Sequence, residues 1–169
     1  MIFAEDLIKI IKKNKVNFFT GVPDSILKNL STHLDKKTKH NHILSTNEGS
    51  SIAIATGYHL STKKIPAVYF QNSGLGNAIN PIISVAHKKV YSIPMLLIIG
   101  WRGAPKNPDE PQHEAQGQIT KKMLSLMGIN HYVLRTNKDL KKISKLIRIA
   151  KKNNRPVACL IEKGQLISK

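Results

Sequence analysis

A single carboxylate, Glu48, heads the stretch STNEGSSIAIATGYHL, residues 45–60. The eight residues after it, 49–56, are all Gly, Ser, Thr, Ala or Ile, a composition that suits a helix packed closely against another surface. A carboxylate carried into such packing loses solvation, which favours its protonated form, whereas the amino end of a helix favours the anion. An acid held between these pulls is suited to share a proton with a heterocyclic nitrogen.

Other short stretches also hold chemistry-bearing residues. In QNSGLGNAIN, Gly74 and Gly76 supply two glycines of a dinucleotide fingerprint, but the third position is Ile79 and no acid follows about twenty residues on, so a Rossmann site is not expected. The stretch reads either as a close backbone approach to a ligand, with Asn72, Ser73 and Asn77 as polar handles, or as a tight turn that binds nothing. DEPQHE gathers Asp109, Glu110, His113 and Glu114, but Gly117 stands where a zincin would place its second His. His113 reads as a catalytic His on a lid or as part of a solvated acidic loop. Arg102 follows an apolar strand directly; its guanidinium either takes an anionic substrate group or pairs with Asp109 or Glu110. The other six His share no spacing and read as structural or surface residues, and Cys159 reads as a buried small side chain.

The elements that position these residues alternate. Strands are predicted in VNFFTGVP, HNHILST, PAVYFQN, IPMLLIIG, HYVLR and PVACLIE, with helices at the N-terminus, over 25–34 after a cap at Asp24 or Ser25, from about Asn47, in LGNAINPIISVAH, over 116–127 and over 138–152, and a loop over 101–114. The near-continuous apolar run IPMLLIIG suits a strand covered on both faces. Strand–helix alternation of this kind predicts an α/β fold: a doubly wound, mainly parallel sheet of about six strands with helices on both faces, in one domain spanning 1–169. TGVPDS, STNEGS, QNSGLGN and GWRGAPKNPDEPQHE then open on one rim, beyond the carboxyl ends of the strands, where such sheets bind ligands.

Bulk composition agrees. The chain has 169 residues, 41% of them apolar, enough for one packed domain. Its formal charge of +17 comes mostly from scattered Lys pairs without interleaved aromatic residues, so a solvated lysine surface is preferred to nucleic-acid binding. The sequence shows no signal-peptide pattern and no membrane-length apolar run, and a cytoplasmic protein is expected.

Together, TGVPDS, NEG, QNSGLGNAINP, YSIPMLLIIGWRG and DEPQHEAQGQIT resemble the pyrimidine-binding domain of thiamine diphosphate decarboxylases, most of all the phosphonopyruvate branch. The resemblance covers nearly the whole chain. It implies thiamine diphosphate as cofactor, with Glu48 binding the pyrimidine N1′ and promoting the imino tautomer that deprotonates the thiazolium C2. It also implies Asp24 and His113 as proton-transfer groups near the reacting carbons, and Asn72, Ser73 and Gly74 as lining of the pyrimidine or substrate pocket. Arg102 and Ser25 are assigned to an anionic 2-keto acid substrate, Arg102 because a dianion calls for a fixed cation.

Relatives hold the cofactor's diphosphate through a divalent metal on a Gly-Asp-Gly motif, and no Gly-Asp-Gly occurs here. The resemblance therefore implies Mg2+ on a partner, a β subunit or second domain, with the cofactor between the two and the small-residue face after Glu48 in their contact. This arrangement is similar to the split sulfopyruvate decarboxylases, which supply the alternative substrate; a catalytically silent regulatory subunit of the same fold is the other reading.

Overall fold

The computed structural model describes residues 1–37 and 40–169. Its elements are β1 (Ile2–Phe3), α1 (Ala4–Lys13), β2 (Phe19–Gly21), α2 (Lys28–Lys37), β3 (His42–Leu44), α3 (Glu48–Thr62), β4 (Ala67–Gln71), α4 (Leu75–Pro81), β5 (Leu96–Trp101), α5 (Pro111–Leu126), β6 (Asn130–Leu134), α6 (Lys141–Asn153), β7 (Val157–Glu162) and β8 (Leu166–Ile167). The six expected strands form one sheet in the order β3-β2-β4-β5-β7-β6, and every neighbouring pair is parallel. β1 and β8 add a two-residue parallel pair, Ile2 beside Leu166, that no periodicity signals.

The two faces of the sheet are covered by different helices. Phe19, Tyr69, Ile98 and Cys159 pack with Leu7 and Ile11 of α1, Leu30 and Leu34 of α2 and Ile143 and Leu146 of α6. On the other face Val68, Phe70, Leu97, Ile99 and Leu160 pack with Ile52 and Ala55 of α3, Ala78 of α4 and Leu124 of α5. Alternation along each strand thus feeds two cores, and β5 is buried at all six positions, as a strand covered on both sides must be. Cys159 belongs to the first core, and burial pushes its thiol up to about 12.

Three helix starts depart from the sequence reading, one of them α6, which begins at Lys141 rather than 138 because residues Asn137–Leu140 form a 3-10 turn. α2 begins at Lys28 rather than at 25, because Asp24 holds the intervening turn by accepting from the amides of Ile26 and Leu27. α5 begins at Pro111 rather than near 116, so His113 and Glu114 lie on its first turn rather than in a loop. Proline at the first helical position donates nothing and already has a helical φ, so the proline-rich run starts the helix there.

One cross-strand arrangement ties the β3 edge to the core. A Cβ at Gly21 would stand 2.6 Å from Cγ and Cδ1 of Tyr69, so glycine there lets the Tyr69 ring lie against β2. The Tyr69 hydroxyl is 2.8 Å from His42 Nε2, and His42 Nδ1 is 2.9 Å from Asp35 Oδ1. A phenol donating to Nε2 and an Nδ1–H donating to the carboxylate satisfy all three groups with a neutral ring.

Candidate active site

Because the sheet strands run parallel, Asp24, Glu48, Asn72 and Arg102 all leave it at the same rim, after β2, β3, β4 and β5 respectively. Glu48 opens α3. Asn47 caps this helix by accepting from Ser50 N at 2.9 Å, which fixes the turn that presents Glu48. Glu48 is half-buried as a residue, and its carboxylate reaches across to the turn after β4 in an exposed hydrogen bond. Asn77 Nδ2 donates to its Oε2 at 2.9 Å, and a Cβ at Gly74 would come 2.3 Å from its Cδ. Gly74 therefore serves as a floor for the acid, and Oε1 has no partner among the described residues.

Beyond Glu48, α3 and α4 present small and apolar groups outward. Gly57 and Gly76 face open space, Ala53 and Leu60 are exposed, and so are Ile79 and the following Ile83. The helix expected to pack on another surface thus has one side on the sheet and another uncovered.

Asp24 carries both roles weighed for it. Its Oδ1 accepts from Ile26 N at 2.6 Å and Leu27 N at 3.0 Å, the geometry of a cap, while its Oδ2 is buried without a partner among the described residues. Burial pushes this carboxyl above its ordinary value, against the lowering by the two amides and by the Arg102 charge. It lies over Gly100, which pairs in register with Gln71 at the end of β4. Ser25, beside it, is exposed. His113 is half-buried on the first turn of α5, and its Nδ1 is likewise buried without a partner. Sheltered polar atoms are normally satisfied, and these two share their lack of a partner among the described residues with Thr20 Oγ1, Thr56 Oγ1 and Arg155 Nε.

Asn72 and Arg102 are engaged within the chain. Asn72 is buried; its Nδ2 donates to Arg102 O at 3.1 Å and Thr120 Oγ1 at 3.0 Å, and its Oδ1 accepts from Arg102 N at 2.9 Å. Both amide hydrogens are used, so the Asn72 side chain binds the neighbouring strand end and α5. Arg102 forks onto Asp109, Nη2 to Oδ1 at 2.5 Å and Nε to Oδ2 at 3.1 Å. That pairing holds the Asp109 carboxyl well below the usual range and raises the guanidinium further, so of the two readings weighed for Arg102 the ion pair is the one present. Ser73 Oγ accepts from Gln71 Nε2 at 2.8 Å.

Behind Arg102 the chain backbones touch. A Cβ at Gly103, whose φ is +61°, would stand 1.8 Å from His113 O, and one at Gly117 would stand 1.8 Å from Gly103 O. Trp101 Nε1 donates to Gly117 O at 3.0 Å. Two glycines are thus required for the loop to lie directly on α5, which sets where His113 stands. Sequence reasoning missed this seam, the Asn72–Thr120 bond and the Asn77–Glu48 bond. Only the last had a signal, since Asn77 follows Gly74 by one helical turn.

Residues 1–125 match the family described as thiamine pyrophosphate enzyme, N-terminal TPP binding domain. The chain belongs to this family. It is 38% identical over 142 residues to the sulfopyruvate decarboxylase subunit alpha of Methanococcus maripaludis, covering 84% of this chain and 83% of that one. It is 37% identical over 126 residues to the phosphonopyruvate decarboxylase of Streptomyces viridochromogenes, covering 75% of this chain and 31% of that relative's length. Its fold superposes on benzoylformate decarboxylase from Polynucleobacter necessarius with a TM-score of 0.72 over 96% of this chain and 30% of that one, at 19% identity. The doubly wound sheet with its loops on one rim is therefore the fold of this domain, as the resemblance implied.

Proposed function

We propose that this chain is the pyrimidine-binding half, an α subunit or N-terminal domain, of a thiamine diphosphate-dependent decarboxylase of small anionic 2-keto acids. The observation that carries this reading is the Glu48 carboxylate at the head of α3, seated on Gly74 and held by Asn77 with Oε1 left free. The residues present suit the pyrimidine end of the cofactor: a fixed carboxylate, a glycine floor with Ser73 beside it, and two sheltered polar atoms on Asp24 and His113. When bound, the cofactor supplies the nucleophilic carbon and electron sink that loss of carbon dioxide from a 2-keto acid requires. Glu48 holds and returns a proton at Oε1. Asp24 Oδ2 and His113 Nδ1 hold the protons moved near the substrate carbon, and burial keeps Asp24 protonated to higher pH than an ordinary carboxyl. Asn72 acts as a positioning residue, and Arg102 offers an anionic head group only the donors that Asp109 leaves free.

Among the described residues no cluster of three His, Cys, Asp or Glu is arranged to hold a metal. Mg2+ and the diphosphate are assigned to a partner carrying Gly-Asp-Gly, docked on the open small-residue side of α3 and α4. Phosphonopyruvate, giving phosphonoacetaldehyde and carbon dioxide, is the first substrate reading, from the GVPDS and GWRGAPKNPDEPQH segments. Sulfopyruvate is the second, and the similarity along 83% of a sulfopyruvate decarboxylase α subunit favours it.

Mixing the purified chain with a Gly-Asp-Gly partner and following carbon dioxide release from each substrate tests the proposal. Turnover should require both chains and fall by about a hundredfold or more in Glu48→Gln. A partner equally active without this chain would make it a silent regulatory subunit.

A further inference from the structure

At the opposite rim, where β6 and β7 begin and α5 and α6 end, Arg155 stands between two cavities. One, of about 210 Å³, is lined by Ile82, Leu126, Met127, Ile129 and Pro156 together with His87, Lys88 and Arg155. The other, of about 430 Å³, is lined by Ser125, Asn130, His131 and again Arg155. Gly128, with φ +69°, borders both.

The guanidinium is only half engaged. Nη2 donates to Asn130 Oδ1 at 2.8 Å, while Nε is buried without a partner among the described residues. No Asp or Glu lines either cavity, and among the described residues no carboxylate pairs with Arg155 or Lys88. Cations at this rim are expected in part because helix carboxyl ends attract them. That attraction explains the charge but not a sheltered N–H without an acceptor, since a buried donor left unmade costs on the order of 1–3 kcal/mol. His87 adds a second donor: its Nδ1 accepts from Lys89 N at 3.2 Å, which places the ring proton of the neutral form on Nε2.

We infer that the cavity between Arg155, Lys88 and His87 is a binding site for a small organic anion, a carboxylate on an apolar body. A turn of the Arg155 side chain brings its sheltered Nε–H to the carboxylate, with Lys88 supplying further positive charge and His87 a donor. The apolar body lies on Ile82, Met127, Ile129 and Pro156. Leu126, 88% exposed at the mouth, closes over it. A fully hydrated inorganic oxyanion has no use for that apolar floor, which is what distinguishes the two ligand classes here. The site is separate from the Glu48 rim and does not depend on the decarboxylase reading.

The test is a titration of the full-length ¹⁵N-labelled chain with benzoate, following the Arg155 Nε–H and Gly128 amide signals at constant ionic strength. Saturable shifts of both, with a Kd on the order of 1 mM, are expected. Arg155→Gln should weaken binding by roughly tenfold or more, the loss of a charged hydrogen bond. Lys145→Gln, on the outer face of α6, should leave it unchanged. If Arg155→Gln does not fold, the Gly128 shift in the unaltered chain decides. Linear, non-saturating shifts, or binding indifferent to Arg155→Gln, overturn the site; equal binding of inorganic phosphate overturns the ligand class.

Discussion

The side chain of Asn72 grips both backbone groups of Arg102, accepting from its N–H and donating to its carbonyl. This clamp joins the ends of β4 and β5 at the point where the rim loops begin. Asn72→Leu would leave both Arg102 groups buried without partners, and the chain should lose about 3 kcal/mol of unfolding free energy. Urea denaturation checks this, with the midpoint moving and the slope unchanged.

Gly74→Ala separates the site from the fold. The nearest atoms the added methyl meets are Cγ, Cδ and Oε1 of Glu48, a side chain that can swing away, so the melting temperature should move little. The carboxylate would be displaced from its seat, and turnover of the mixed complex should fall by about a hundredfold. Intact turnover would remove Glu48 from the chemistry.

Asp24→Asn should raise stability at neutral pH while removing activity. The folded chain holds the Asp24 proton above the ordinary value of 3.8, so ionisation penalises the fold as pH rises through and beyond that value. Asparagine keeps an Oδ1 for the Ile26 and Leu27 amides and has no charge to bury. Thermal melts between about pH 3.5 and 7 should show the two proteins converging at the acid end and Asn ahead at neutrality.

His42 gives the opposite slope. Burial lowers its pKa below the ordinary 6.5, with Asp35 opposing in part, so the unfolded chain takes up the proton first as pH falls. Stability should be full above about pH 6.5 and decline as pH falls towards the folded value, and His42→Gln should flatten that decline in pH-dependent denaturation. Gly21→Ala attacks the same arrangement sterically. Its methyl would meet the Tyr69 carbonyl at 2.2 Å and the ring at 2.6 Å, and a loss of about 3 kcal/mol is expected.

What could be read from the sequence was what depends on near neighbours. IPMLLIIG announced a strand buried on both faces, and β5 is buried throughout. Glu48 stood out as a lone acid between strand and helix, and it does open α3. The work of Asn72 was hidden because its partners lie 30 and 48 residues away, and nothing local marks Thr120 as the one that faces it. The ion pair of Arg102 was visible only as one of two readings, since the choice depends on how the loop folds back. Pro111 misled because the same residue ends a loop and begins a helix.

The glycine seam between the 102–103 segment and α5 has a mechanical consequence. Side chains normally cushion one element against another, absorbing small displacements by changing rotamer. With backbone resting on backbone there is no such play. A slide or roll of α5 would pass undamped into the Trp101–Gly103 peptides and, through the Asn72 clamp, into the turn under Glu48, so the rim should respond as one stiff frame rather than as separate loops.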